Sequence, residues 1–147
     1  MIVDPSMTDE ARALLHSEAV AITADLVSID STNTGDPATI GDGETRVCRR
    51  IAEYLDEVGI SSELVESVPG RGSLFARVEG TEPQAGGLIV HGHVDVVPAV
   101  ADDWTVPPFA GEIVDGWLYG RGTVDMKNMI GMTLAVIRHY RREGIEP

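Results

Sequence analysis

The sequence predicts an α/β fold in which a mixed, mainly parallel sheet is flanked by helices. Two helical patterns open the chain, strand-like segments follow, and a helical pattern closes it, an order typical of helices layered on a sheet. Residues 87–90 form an unbroken apolar run, which is typical of a strand buried on both faces. The chain has 147 residues, the length of one compact domain.

Three segments show the periodicity of amphipathic helices. The first covers residues 9–29, and the second covers residues 44–58 and is ended by Gly59 as a C-terminal cap. The third covers residues 124–142 and is closed by Gly144. Apolar residues recur every three or four positions: Leu14, Leu15, Ala19, Ile22, Leu26 and Ile29 in the first, Val47, Ile51, Leu55 and Val58 in the second, and Met129, Met132, Leu134, Val136 and Ile137 in the third.

Turn-forming residues separate the predicted strands. Residues 62–67 and 74–79 flank a turn of proline and glycine and are predicted to form a hairpin. Residues 109–119 alternate around Asp115-Gly116, a dipeptide that favours a hairpin turn. A right-handed crossover from the apolar strand through the last helix has no parallel strand to reach, so we expect a truncated domain.

Charge and composition exclude several classes of protein. The chain has 24 acidic and 11 basic side chains and a formal net charge of −13, which argues against nucleic acid and anionic membranes as partners. It is compatible with binding cations. The single cysteine, Cys48, excludes an internal disulfide, and neither a signal peptide nor an apolar run long enough to span a membrane is visible. We therefore expect a cytoplasmic protein with no nucleic-acid or membrane partner.

The segment 90–98 carries the first candidate site. It leaves the apolar strand and enters a loop, which is where α/β folds place ligands. In an extended segment His91, His93 and Asp95 lie on the same side, because side chains alternate with a period of two. Imidazole is a good zinc ligand, and a neighbouring carboxylate orients the ring. Two polar loop histidines followed by a turn-forming aspartate explain this segment equally well.

The segment 118–128 carries the second candidate site. Gly120 and Gly122 allow a close backbone approach, Thr123 is placed to cap the last helix, and Asp125 is expected in its first turn. A carboxylate held at a helix start after a glycine loop can bridge two cations. Taken alone, the segment favours the simpler interpretation, in which Asp125 only stabilises the helix dipole.

The two segments together resemble the M20 metallopeptidase family. That family includes glutamate carboxypeptidases, aminoacylases, succinyl-diaminopimelate desuccinylase and acetylornithine deacetylase. The resemblance extends over nearly the whole chain and includes the loop after the first helix. The residues that carry it are, in order, Ser31-Thr32, His93-x-Asp95-Val96-Val97-Pro98, Trp104, Pro107-Pro108-Phe109 and Gly120-Arg121-Gly122-x-x-Asp125-Met126-Lys127.

The resemblance implies roles for three residues. His93 matches the first metal-binding histidine, and Asp125 matches the aspartate that bridges two metal ions. Asp95 matches the acidic residue that orients the ligands, and it is the catalytic residue that the resemblance implies in this chain. His91 matches no family ligand.

The same resemblance implies an activity and a cofactor. The reaction is hydrolysis of an amide bond in a small peptide or an N-acyl amino acid, at a site with two divalent metal ions. Zinc is the first expectation, and cobalt and manganese are alternatives. Such ions polarise the amide carbonyl and activate water.

The chain also departs from the family pattern. Asn128 and Met129 stand where the family often has two glycines. The family's adjacent glutamate pair, a further acidic ligand and a late histidine do not occur before Pro147. We therefore interpret residues 1–147 as the N-terminal portion of a single zinc-peptidase-like catalytic domain. The rest of that domain and the lid domain are absent.

This incompleteness limits what is expected of the chain alone. Without the glutamate pair, we expect the fragment to be inactive alone. The family's lid domain is dimerising, which leaves a homodimer open for the full-length protein. The alternative hypothesis is a non-catalytic binding or structural module with the same fold.

Overall fold

The computed structural model describes residues 7–82 and 84–146. Within these ranges it contains three helices and two antiparallel hairpins, so the predicted α/β class is confirmed. A single 3₁₀ turn covers Ala101–Asp103, and a wider turn covers Thr123–Lys127. The elements are α1 (Asp9–Val27), α2 (Gly43–Asp56), β1 (Ser62–Val68), β2 (Arg71–Ala76), β3 (Ile113–Val114), β4 (Trp117–Leu118) and α3 (Asn128–Glu143).

Local sequence signals explain where the helices begin and end. The Thr8 hydroxyl accepts a hydrogen bond from the Ala11 amide at 3.1 Å and so caps the start of α1. Gly59, after α2, has a φ of 70°, and Gly144, after α3, has a φ of 66°. Both values lie in the left-handed region that favours glycine at helix C-termini. The structure ends α1 at Val27, two positions before the predicted end.

The hydrophobic core lies where the three helices meet. Helix α2 contributes three residues to it and the second half of α1 contributes two, whereas Leu14 near the start of α1 is 61% exposed, so the start of the predicted stripe faces solvent. No helix in the described ranges has the length and apolarity that a membrane span requires. The buried cluster consists of Ile22, Leu26, Val47, Ile51, Leu55, Ile60 and Leu134.

An ion-pair network joins the helices at the edge of this core. The buried Arg138 guanidinium donates to Glu18 on α1 at 2.7 Å and to Glu57 after α2 at 2.9 Å, and it also bonds to the Tyr54 carbonyl. Arg142 donates to Glu18 at 2.7 Å. The hydrogen bonds from Arg142 and Arg138 outweigh the effect of burial and lower the pKa of Glu18 below its usual 4.5.

The two predicted hairpins are present, but the mainly parallel sheet is not. Strands β1 and β2 pair antiparallel with Leu64 opposite Leu74, and β3 and β4 pair across the predicted Asp115-Gly116 turn. In the described part of the chain, parallel pairing is limited to a bridge between Thr32 and Val96. A mainly parallel sheet is therefore not shown by the described residues.

The predicted apolar strand is the clearest difference from the sequence expectation. Residues 87–90 form no strand, and Leu88 and Ile89 are 90% and 85% exposed. An apolar run is buried on both faces only when neighbouring strands and covering helices enclose it. The longer hairpin, β1–β2, packs against α2 and does not pair with residues 87–90.

Candidate metal site

The first motif segment is held against the loop that follows α1. The Val96 amide donates to the Ser31 carbonyl at 3.1 Å, and the Asn33 amide donates to the Val96 carbonyl at 2.8 Å. The buried Ser31 hydroxyl donates to the Val94 carbonyl at 2.6 Å. These bonds fix the backbone on both sides of Asp95 without a regular strand.

The second motif segment is anchored to the C-terminal end of α1 by Lys127. Its ammonium group is fully buried and donates to the carbonyls of Leu26 at 2.9 Å and Ile29 at 2.8 Å. A cation suits this position because helix carbonyls at a C-terminus carry partial negative charge. Burial lowers the pKa of Lys127 to about 8.

Asp125 precedes α3 and does not lie in its first turn as predicted. The Lys127 amide donates to the carbonyl of Gly122, five residues earlier, at 2.9 Å. That spacing makes a turn wider than an α-helical one, and Asp125 itself has non-helical φ and ψ of −126° and 92°. The Thr123 side chain makes no capping bond at the start of the helix, so its predicted role was also wrong.

His93, Asp95 and Asp125 meet through the two nitrogens of the His93 ring. Nε2 lies 3.0 Å from Asp125 Oδ1, and Nδ1 lies 3.1 Å from Asp95 Oδ1 and from the Asp95 carbonyl oxygen. The three residues to which the family resemblance gives site roles therefore lie together, although the strand expected before them is not present. The other histidine of the motif, His91, is exposed and does not line the cavity beside His93.

The surroundings of His93 favour a protonated ring. Partial burial lowers the pKa of His93, but hydrogen bonds with the Asp95 carbonyl and the Asp125 carboxylate outweigh it, so the pKa lies above 6.5. Nδ1 faces two oxygens of Asp95 and Nε2 faces one oxygen of Asp125, so each ring nitrogen has an acceptor, and these contacts favour the doubly protonated ring over either neutral tautomer. A cation that replaced the Nε2 proton would also meet the Asp125 carboxylate, so Nε2 is the nitrogen placed to bind one.

An open cavity of about 610 Å³ lies over this cluster. Its walls include the three motif residues, Asn33 and the loop around Arg121. The Arg121 guanidinium lies over the Trp104 ring at 5.3 Å from its centroid. A volume of this size falls within the roughly 300–1,000 Å³ typical of small-molecule sites.

The donor atoms fit part of a metal site. A histidine nitrogen and a carboxylate oxygen bind zinc at about 2.0–2.2 Å, and the 3.0 Å between His93 Nε2 and Asp125 Oδ1 allows both to reach one ion. Within residues 7–82 and 84–146, no group of three or more histidine, cysteine, aspartate or glutamate side chains is arranged to hold a metal ion. Ligand roles for His93 and Asp125, and the role of Asp95, stay predictions.

Two residues of this site were missed by the sequence interpretation. Asn33 Nδ2 donates to Asp95 Oδ2 at 2.9 Å, although 62 positions separate the two residues. Lys127 was noted only as part of a motif. Its contacts with the end of α1 join residues about 100 positions apart, which no local pattern in the sequence indicates.

Comparisons with known proteins give one family match and several relatives of similar sequence. The sequence profile of Peptidase family M20/M25/M40 matches residues 89–147. A probable succinyl-diaminopimelate desuccinylase of Staphylococcus epidermidis is 36% identical over 126 residues, covering 84% of this chain and 28% of the relative. An N-fatty-acyl-amino acid synthase/hydrolase of Xenopus tropicalis is 36% identical over 107 residues, covering 70% of this chain and 21% of the relative.

A solved structure shares the fold. Human carnosine dipeptidase 1 superposes with a TM-score of 0.75 at 26% identity, covering 92% of this chain and 30% of that protein. The chain therefore spans less than a third of the length of each of these three proteins.

Proposed function

The chain belongs to peptidase family M20/M25/M40, and from that premise we propose that the full-length protein is a metal-dependent amide hydrolase. Its substrate is a small peptide or an N-acyl amino acid. The observation that carries the proposal is the 3.0 Å approach of His93 Nε2 to Asp125, with Asp95 behind the ring. The chain covers 28% and 30% of two proteins that it resembles, and we interpret it as the N-terminal portion of the catalytic domain, as the family resemblance implies.

In this proposal each of the three residues has one role. His93 Nε2 would hold one cation, and the Asp125 carboxylate would be shared between two. Asp95 accepts a hydrogen bond from Nδ1–H and so keeps the imidazole in the orientation that presents Nε2 to the cation. When bound, the cations, zinc in first place, polarise the scissile carbonyl and activate water.

The remaining catalytic groups come from the part of the protein outside this chain. Proton transfer by a positioned base contributes about 10²–10⁴-fold to such reactions. Asp95 is committed to His93 and Asn33, and Asp125 is committed to the metal position, so neither is free to act as the base. We therefore expect the 147-residue chain to be inactive alone.

Calorimetric titration with Zn²⁺ tests the metal assignment on the chain itself. We expect weak binding, because several ligands are missing, and at least tenfold weaker binding after Asp125→Ala. Glu63→Ala is the matched control, since it removes an exposed carboxylate from β1, away from the cavity. Equal affinities in the wild type and both variants would remove Asp125 from the site.

A side-by-side assay tests the activity. The fragment and the full-length protein are incubated with zinc or cobalt and with dipeptides and N-acyl amino acids. We expect turnover from the full-length protein only. Comparable turnover from the fragment would show that the base is misassigned, and no turnover from either would favour a non-catalytic module.

A further inference from the structure

Asn33 is tied into the candidate site by three hydrogen bonds. Its Nδ2 donates to Asp95 Oδ2 at 2.9 Å, and its Oδ1 accepts from the Gly35 amide at 2.9 Å. Its own amide donates to the Val96 carbonyl at 2.8 Å. The side chain is therefore held at both ends of its amide group and at its backbone.

The chemistry of the two partners determines which way the amide points. The Gly35 N–H can only donate, so it requires the oxygen of Asn33. The ionised Asp95 carboxylate can only accept, so it requires the nitrogen. One amide orientation satisfies both partners, and it is the orientation observed.

We propose that Asn33 is a positioning residue, which sets the Asp95 carboxylate so that Oδ1 faces His93 Nδ1. With Oδ2 bound to Asn33, the carboxylate cannot rotate freely, and Oδ1 stays 3.1 Å from Nδ1. The ring is thereby held with Nδ1 against Asp95 and with Nε2 on the side where Asp125 lies. The relevance of this orientation to metal binding rests on the proposed function.

Two substitutions separate this role from a purely structural role in the loop. Asn33→Ala removes the bonds to both Asp95 and Gly35. Asn33→Asp keeps an oxygen that accepts from Gly35 but replaces the donor to Asp95 with a second carboxylate. If Asn33 only shapes the loop, Asn33→Asp behaves as the wild type. If it positions Asp95, both variants behave alike.

Ala38→Asp is the matched control for the added charge. Ala38 is exposed on the same loop, and its backbone amide donates a hydrogen bond to Asp36 Oδ1. Because the Ala38 side chain takes no part in that bond, the substitution adds a carboxylate without changing the contact between Asn33 and Asp95. Thermal unfolding of all variants checks that the 147-residue chain remains folded.

The first measurement is the tautomer of His93 in the metal-free chain that carries Asp125→Ala, a change that removes the competing acceptor at Nε2. It is read from ¹⁵N chemical shifts at a pH where the ring is neutral. In this background we expect the Nδ1–H form with Asn33 intact and with Ala38→Asp. Both Asn33 variants should shift population to the Nε2–H form. A wild-type tautomer in Asn33→Asp would overturn the proposal, whatever the result with Asn33→Ala.

The second measurement is zinc affinity by calorimetry. Loss of a group that orients a metal ligand typically weakens binding about 10–100-fold, and we expect this range for both Asn33 variants. Wild-type affinity in both would overturn the proposal. If the wild-type chain binds no zinc, the metal assignment of the proposed function fails, and the tautomer measurement still decides the role of Asn33.

Discussion

Two regions of the molecule bury their apolar residues very differently. The helical region, which comprises α1, α2, α3 and the β1–β2 hairpin, holds Leu26, Val27 and Val47 at 0% exposure. The motif region, residues 84–126, leaves Leu88 90% and Val124 80% exposed. An apolar pattern therefore identifies a segment that can be buried, but burial also requires a partner within the same chain.

Hydrogen bonds, more than apolar packing, organise the motif region. The Thr32–Val96 bridge, the 2.7 Å bond from the Arg121 amide to the Pro108 carbonyl and the Lys127 ammonium hold its two motifs in place. The candidate site is thus attached to the helical region through backbone carbonyls and one buried cation. The effects of substitutions on stability and on association should consequently differ between the two regions.

The largest expected effect contrasts two leucines. Leu26→Ala removes a fully buried side chain and should lower the free energy of unfolding by about 2–5 kcal/mol. Leu88→Ala should change it by no more than about 0.5 kcal/mol, because the side chain is 90% exposed. Urea unfolding of the 147-residue chain, followed by circular dichroism, measures both. Similar losses for the two variants would show that residues 87–90 are buried in solution.

A smaller, pH-dependent effect is expected at Glu18 in the helical region. The folded state lowers the pKa of Glu18, so its contribution to stability is complete above the unfolded-state value of about 4.5. The contribution is lost as the pH falls through the lower folded-state pKa. Glu18→Gln should therefore cost about 2 kcal/mol at pH 7, and the difference should vanish in acid.

The control for Glu18 is an exposed ion pair. Arg77 and Glu79 lie 2.8 Å apart, but their side chains are 82% and 76% exposed. Glu79→Gln should leave stability unchanged within about 0.5 kcal/mol at every pH, because such pairs contribute little. Unfolding curves between acid and neutral pH distinguish the two variants. A Glu18→Gln deficit that persists in acid would mean that lost packing, and not charge, is responsible.

The smallest expected effect on stability is in the motif region, and a change in self-association between copies of the chain accompanies it. The double substitution Leu88→Ser with Ile89→Ser should leave the free energy of unfolding within about 0.5 kcal/mol of the wild type. It should reduce self-association in sedimentation velocity, since neighbouring exposed apolar residues promote contact between copies. Leu14→Ser, which changes a leucine of 61% exposure on α1, is the control and should have no such effect. Unchanged association in the double variant would rule out this patch as the contact surface.

The elements that the sequence predicted well depend on nearby residues. The β3–β4 hairpin follows from Asp115-Gly116, and the end of α3 follows from Gly144. The start of α3 was predicted too early, because Asp125 and its neighbours form a wider turn that bonds to α1 through Lys127. That contact links residues about 100 positions apart, and no local pattern announces it.

The same distinction applies to the candidate site. The approach of His93 to Asp125 was expected from a family resemblance, since neither segment alone favoured a metal site over simpler interpretations. Asn33 lies in a cluster of turn-forming residues. A polar side chain in such a cluster is already explained by the turn, so the sequence does not distinguish Asn33 from its neighbours. Its contact with Asp95 becomes visible only when the parallel bridge brings the two loops together.

The burial of Lys127 has a consequence for chemical labelling. It is the only lysine in the sequence, and none of its surface is exposed. Reagents that acylate amines should therefore modify the folded chain at its amino terminus alone. Acylation of Lys127 requires its ammonium group to leave the end of α1, so the rate of this reaction, followed by mass spectrometry, records how often that junction opens.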